Sequence, residues 1–113
     1  MNNNKNNMPI LAIMSKNTSL KDKTLYCPGS VRIDGYFESS IHSDGDVIIG
    51  PSGSVHGLVK ACNIYVHGEL EGDVLCSSKV TIHNTGTVKG DIITKYFEIQ
   101  ENGTFIGRFT MRK

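Results

Sequence analysis

Residues 47–92 set the pattern for the rest of the chain. In VIIGPSGSVHGLVKACNIYVHGELEGDVLCSSKVTIHNTGTVKGDI, valine, isoleucine or leucine takes one parity and mostly polar residues take the other. A period of two is that of a half-buried strand, and no apolar spacing of three and four marks a helix. Glycines cut the alternation just after an apolar-x step, in Val55-His56-Gly57, Leu70-Glu71-Gly72, Val88-Lys89-Gly90 and Phe105-Ile106-Gly107. A glycine inside strand alternation marks a bend or a close backbone approach. The stretch therefore predicts short strands joined by regular bends.

The pattern also repeats. Residues 31–63 laid over 64–96, a shift of 33, give seven identities: Gly35/Gly68, Glu38/Glu71, Val47/Val80, Ile49/Ile82, Gly53/Gly86, Val55/Val88 and Gly57/Gly90. Ile33/Val66, Phe37/Leu70, Ile41/Val74 and Val59/Ile92 keep their apolar character. A fixed internal period is the signature of a solenoid. Ankyrin units share this period but need two helices each, which the β-branched, glycine-broken pattern opposes. The period subdivides at Gly57, Gly72, Gly90 and Gly107, which cut the chain into three intervals of similar length. Each is long enough for one winding of about three short strands. The expected fold is an all-β, single-domain parallel β-helix, in which each winding pairs only with its neighbours and inward side chains stack into one core.

Composition changes this picture little. The chain has 113 residues, 20% of them charged, and a formal net charge of +1. The charge is lopsided: Lys5, Lys16, Lys21 and Lys23 stand against Asp22 in residues 1–23, leaving the remainder near −2. That balance gives no case for nucleic acid as a partner. Cys27, Cys62 and Cys76 form no C-x-x-C, and an odd count speaks for a reducing compartment. Cys76 falls at the inward parity of its run and reads as a small core hydrophobe.

The boundaries follow. Residues 1–23 are expected to be a disordered tail, 24–111 the β-helix domain and 112–113 its end. The tail opens with MNNNKNN and then carries MPILAIM. So short a segment, with a proline in it, cannot span a bilayer, which takes about 20 residues. Met8, Ile10, Leu11, Ile13 and Met14 are instead candidates for a weak surface anchor, with nearby lysines meeting anionic headgroups. One such patch is marginal, so it would act in many copies. At the other end, nothing after Phe105 has the pattern of a cap helix, although monomeric solenoids are usually capped. Phe105, Phe109 and Met111 place apolar bulk near the last winding and are the candidate residues of an end-to-end contact.

With these phrases in place, IDGYFESSIHSDGDVIIG through FEIQENGTFIGRFTM resembles the bactofilins, bacterial polymer-forming cytoskeletal proteins. The resemblance covers about residues 24–111 and includes the V-x-I-x-G and G-x-V-x-G-x-[IV] phrases and a terminal F-x-G-x-x-x-M built on Phe105, Gly107 and Met111. Ser39 stands where a glycine is frequent, and the long charged tail of some members has no counterpart after residue 111. The resemblance implies a right-handed, three-sided parallel β-helix that polymerises without nucleotide or other cofactor. It implies end-to-end joining through terminal windings into non-polar filaments, and a short apolar N-terminal segment that meets inner-membrane lipids. An aromatic residue of the last winding supports polymerisation in the family, which places Phe105 in that role. The expected protein is a scaffold at the cytoplasmic face of the membrane, partnering itself and envelope-modifying or cell-shape proteins.

Enzymes are the competing class. No G-x-x-x-x-G-K-[ST] occurs, so no P-loop is present. Residues 49–55, IGPSGSV, resemble one hexapeptide of a trimeric left-handed β-helix acyltransferase, but period six is not sustained. A carbonic-anhydrase-like zinc site would need His42, His56, His67 or His83. Each follows an inward aliphatic and is expected to point outward, with no carboxylate pairing. No catalytic, cofactor or metal residue is assigned. Asp34, Glu38, Glu69, Glu71, Asp73 and Asp91 are expected to form a solvated face that limits sideways sticking.

Overall fold

The computed structural model describes residues 19–21 and 24–112, and among these residues the regular elements are all strands. A short strand β1 (Ser19–Lys21) precedes the first winding, which consists of β2 (Thr24–Cys27), β3 (Val31–Ile33) and β4 (Tyr36–Phe37). The second is β5 (Ser40–Ser43), β6 (Asp46–Ile49) and β7 (Ser54–His56). In the third and fourth, two sides merge into one bent strand: β8 (Val59–Val66) is followed by β9 (Glu69–Glu71), and β10 (Val74–Ile82) by β11 (Thr87–Lys89). The fifth is β12 (Ile92–Thr94), β13 (Tyr96–Ile99) and β14 (Thr104–Ile106), after which β15 (Phe109–Met111) returns to the first side.

Parallel pairing stacks these windings into a solenoid with three faces. The first face runs β2, β5, the start of β8, the start of β10, β12 and β15. The second runs β3, β6, the ends of β8 and β10, and β13. The third runs β4, β7, β9, β11 and β14. The inward positions read from the sequence are filled as expected: Val47, Ile49, Val55, Val59, Ile64, Val66, Leu70, Val74, Val80, Ile82, Val88 and Ile92 are all fully buried.

The register explains the period of the repeat. On the third face Ser54 pairs with Glu69, and Glu69 pairs in turn with Thr87. The two steps are unequal, and together they make one repeat, so a repeat is two windings. The difference arises at corners. Between the second and third faces the third winding turns through His67 and Gly68 alone, whereas the fourth inserts a longer turn, residues 83–86, in which Gly86 N–H donates to the His83 carbonyl at 2.8 Å. One further residue enters β10 as a bulge between Cys76 and Lys79. Corners absorb the length difference, and every strand keeps its face.

Between the third and first faces the corner is a column of glycines. Gly72, Gly90 and Gly107 have φ of 147°, 143° and 147°, which L side chains rarely adopt. A Cβ on Gly90 would land on the Gly72 carbonyl, and one on Gly107 on that of Gly90. Ser39 occupies the top of this column, its carbonyl lying where a Cβ on Gly57 would be. The bend built without glycine is therefore the one with no glycine winding above it.

Two features lay outside the pattern. Residues 19–21, within the stretch expected to be a disordered tail, form β1, which pairs antiparallel with β2 (Ser19 with Tyr26, Lys21 with Thr24). It occupies one edge of the first winding by satisfying backbone groups, a driving force that leaves no hydrophobic period to read. Thr94 and Ser43 sit at inward positions, fully and almost fully buried. Thr94 Oγ1 donates to the carbonyls of Tyr96 at 3.0 Å and Ser78 at 3.2 Å, and Ser43 Oγ to that of Gly29 at 2.6 Å. These bonds satisfy the hydroxyls and tie the corner between the first and second faces.

Candidate assembly surface

The two ends of the solenoid differ. In the first winding the inward residues of the first two faces, Leu25, Cys27, Val31 and Ile33, are at most 4% exposed, and Phe37 on the third face is partly buried against the core. In the terminal layer of β13, β14 and β15 the equivalent positions are open. Register places Phe97 and Ile99 over Val80 and Ile82, Phe105 over Val88, and Phe109 and Met111 over Ile92 and Thr94. All five belong to core columns. Yet Ile99 is 41%, Phe109 37% and Met111 56% exposed, while Phe97 and Phe105 are half-buried against the core. The exposed apolar surface is thus the cross-section of the core itself.

Three aromatic rings organise this surface. Phe97 lies 5.6 Å from Phe105 and 4.6 Å from Phe109, ring centroid to centroid, with interplanar angles of 59° and 37°. Such tilted contacts suit aromatic quadrupoles. Of the residues expected at the end contact, Phe105 and Phe109 are joined through Phe97, and Met111 ends the same strand as Phe109. The sequence reading missed Phe97 and Ile99. The signal was available, because the shift of 33 carries them onto Ile64 and Val66, both fully buried. Near this layer Lys79 Nζ reaches Glu98 Oε1 at 2.9 Å, which holds the carboxyl below and the ammonium above their ordinary ranges. Tyr96 and Ile106 extend the apolar rim on outward positions.

Met8, Ile10, Leu11, Ile13 and Met14 lie outside the described residues. Among the described residues no helix is long and apolar enough to cross a membrane.

The histidines point away from the core as expected, each partly exposed. His67 and His83 stack at 3.9 Å with an interplanar angle of 8°. Burial, then the His83 and Arg32 charges, push the His67 pKa down. The expectation that no histidine pairs with a carboxylate is corrected. His56 Nε2 lies 3.8 Å from Glu71 Oε1, and His42 Nε2 lies 4.0 Å from Asp44 Oδ1. The first partner comes from the next winding, too far along the chain for any local motif to reveal. Cys76 is fully buried, its thiol donating to the Cys62 carbonyl at 3.1 Å, and burial raises its pKa.

No curated protein and no solved structure matches this chain significantly. A profile of the family described as "Bactofilin: Polymer-forming cytoskeletal" matches residues 12–110. That match spans nearly the whole chain and all but the last residue of the solenoid, so the chain belongs to the bactofilin family of polymer-forming cytoskeletal proteins.

Proposed function

We propose that this chain assembles end to end, without nucleotide, into non-polar filaments, and that Phe105, Phe109 and Met111, with Phe97 and Ile99, form the contact at the C-terminal end. The observation that carries this reading is the open core cross-section in the terminal layer. Complete burial of one Phe, Ile or Met side chain is worth about 1.5–3 kcal/mol. Five half-covered side chains in one layer are therefore a strong drive to cover that end. A second copy related by a two-fold axis supplies a matching surface. Alternating that contact with one at the N-terminal end propagates a filament without polarity or closure.

The filaments would lie at the cytoplasmic face of a bacterial membrane, held by the apolar segment at residues 8–14 acting in many copies. There they would scaffold envelope-modifying or cell-shape proteins. Support for the membrane part is the tail's composition and the family's properties.

Negative-stain electron microscopy of the purified chain, with no nucleotide added, tests the assembly reading. Wild type should give filaments a few nanometres wide, and Phe105→Arg short oligomers, because a charge would be buried unpaired in the contact. Unaltered Phe105→Arg filaments would remove Phe105 from the interface. Deleting residues 1–16 should abolish co-sedimentation with anionic liposomes and spare the filaments.

A further inference from the structure

The third face carries an outward cluster on β7 and β9, away from the terminal layer of β13, β14 and β15. Glu69 and Glu71 stand at i and i+2 of β9, so both carboxylates leave the sheet on one side. The adjacent β7 places Ser54 beside Glu69 and His56 beside Glu71. One ring nitrogen of His56 and one oxygen from each glutamate lie within 4.8 Å of one another. Ser54 Oγ donates to Glu69 Oε1 at 3.1 Å and lies 3.4 Å from His56 Nε2, which orients both groups. The Tyr36 ring packs edge-on against His56 at 5.2 Å. Among the described residues neither glutamate is ion-paired with a lysine or arginine, although Lys89 is the register neighbour of Glu71. The cluster thus holds two negative charges and one imidazole with no cation to balance them.

We propose that His56, Glu69 and Glu71 form a binding site for a divalent transition ion of the zinc class. One imidazole and two carboxylates supply three ligands and leave a fourth position for water. Imidazole favours zinc, cobalt, nickel or copper over magnesium and calcium, which prefer six or more oxygens. Bonds of about 2.0–2.2 Å require the ligand atoms to close by roughly an ångström, which rotation of partly exposed glutamates provides. The two carboxylates neutralise the ion. Because His56 and the glutamates belong to successive windings, the bound ion would brace one winding to the next.

The test uses the full chain stripped with a chelator and titrated with ZnCl2 by calorimetry, then with CoCl2 for its visible ligand-field bands. One ion per chain is expected, with a rise in melting temperature. His56→Ala and Glu69→Gln should each weaken zinc at least about tenfold, while His83→Ala binds as wild type. Circular dichroism confirms that each variant keeps its fold. Zinc binding unchanged in His56→Ala, binding lost in His83→Ala instead, or MgCl2 binding as tightly as ZnCl2 would each overturn the assignment.

Discussion

Replacing Gly90 by alanine tests the stacking geometry most directly. The new methyl group would meet the Gly72 carbonyl oxygen and lie 2.7 Å from its carbonyl carbon, both backbone atoms. Neither can swing aside as a side-chain end could, because Gly72 N–H is bonded to the Lys89 carbonyl at 2.8 Å. The φ of 143° adds about 1–3 kcal/mol of backbone strain. Overpacking against a fixed neighbour adds about 1–3 kcal/mol more. A total near 4 kcal/mol in a domain of roughly 90 residues should lower the melting temperature by at least about 15 °C. Gly29→Ala is the control: nothing lies within 4 Å of its Cβ and its φ is outside the left-handed range, so its stability should change by less than about 1 kcal/mol. Thermal and urea unfolding followed by circular dichroism, at one protein concentration, compares the three proteins. If Gly90→Ala melts with the wild type, or Gly29→Ala loses as much, the close approach of successive corners does not limit this fold.

Two further outcomes follow. The depressed His67 pKa means that the unfolded chain takes up protons first as pH falls. The stability this group supplies is present above its ordinary value near 6.5 and is lost as pH drops below it. Wild type should therefore lose more melting temperature between pH 7.5 and 5 than His67→Gln, and parallel curves would count against the burial of His67 beside His83 as the cause. Under native conditions a thiol reagent should modify the partly exposed Cys62 first and leave buried Cys76 unreacted until urea unfolds the chain. Early labelling of Cys76, read by peptide mass spectrometry, would contradict its place in the core.

The fold was legible because its physics is local and repeated. Valines and isoleucines at every second position fix which side faces inward, and Gly57, Gly72, Gly90 and Gly107 mark one corner in each winding after the first. The shift of 33 was also readable, but its cause was not, since it lies in corner lengths and in a bulge after Cys76. The terminal aromatics were half legible. Phe105, Phe109 and Met111 stood out as late apolar bulk, whereas Phe97 and Ile99 looked like ordinary strand residues until pairing placed them over Val80 and Ile82. His56 was readable only as one of four candidate ligands, and its meeting with Glu69 and Glu71 was not legible. It depends on side chains of successive windings meeting across parallel strands, and only the register of β7 with β9 brings them together.

The two-winding repeat makes the chain a ruler with a fixed graduation. Adjacent windings are separated by the strand spacing of about 4.8 Å, so each two-winding unit adds about 10 Å of rod. Residues 64–96 begin and end at equivalent points of the second face, and both of their corners between the third and first faces are glycines, Gly72 and Gly90. Duplicating them would return the chain to the same corner with the same face outward, leaving both terminal layers as they are. In an end-joined polymer the axial repeat would then be set by how many such units the gene encodes, and a change of length would demand no new contact.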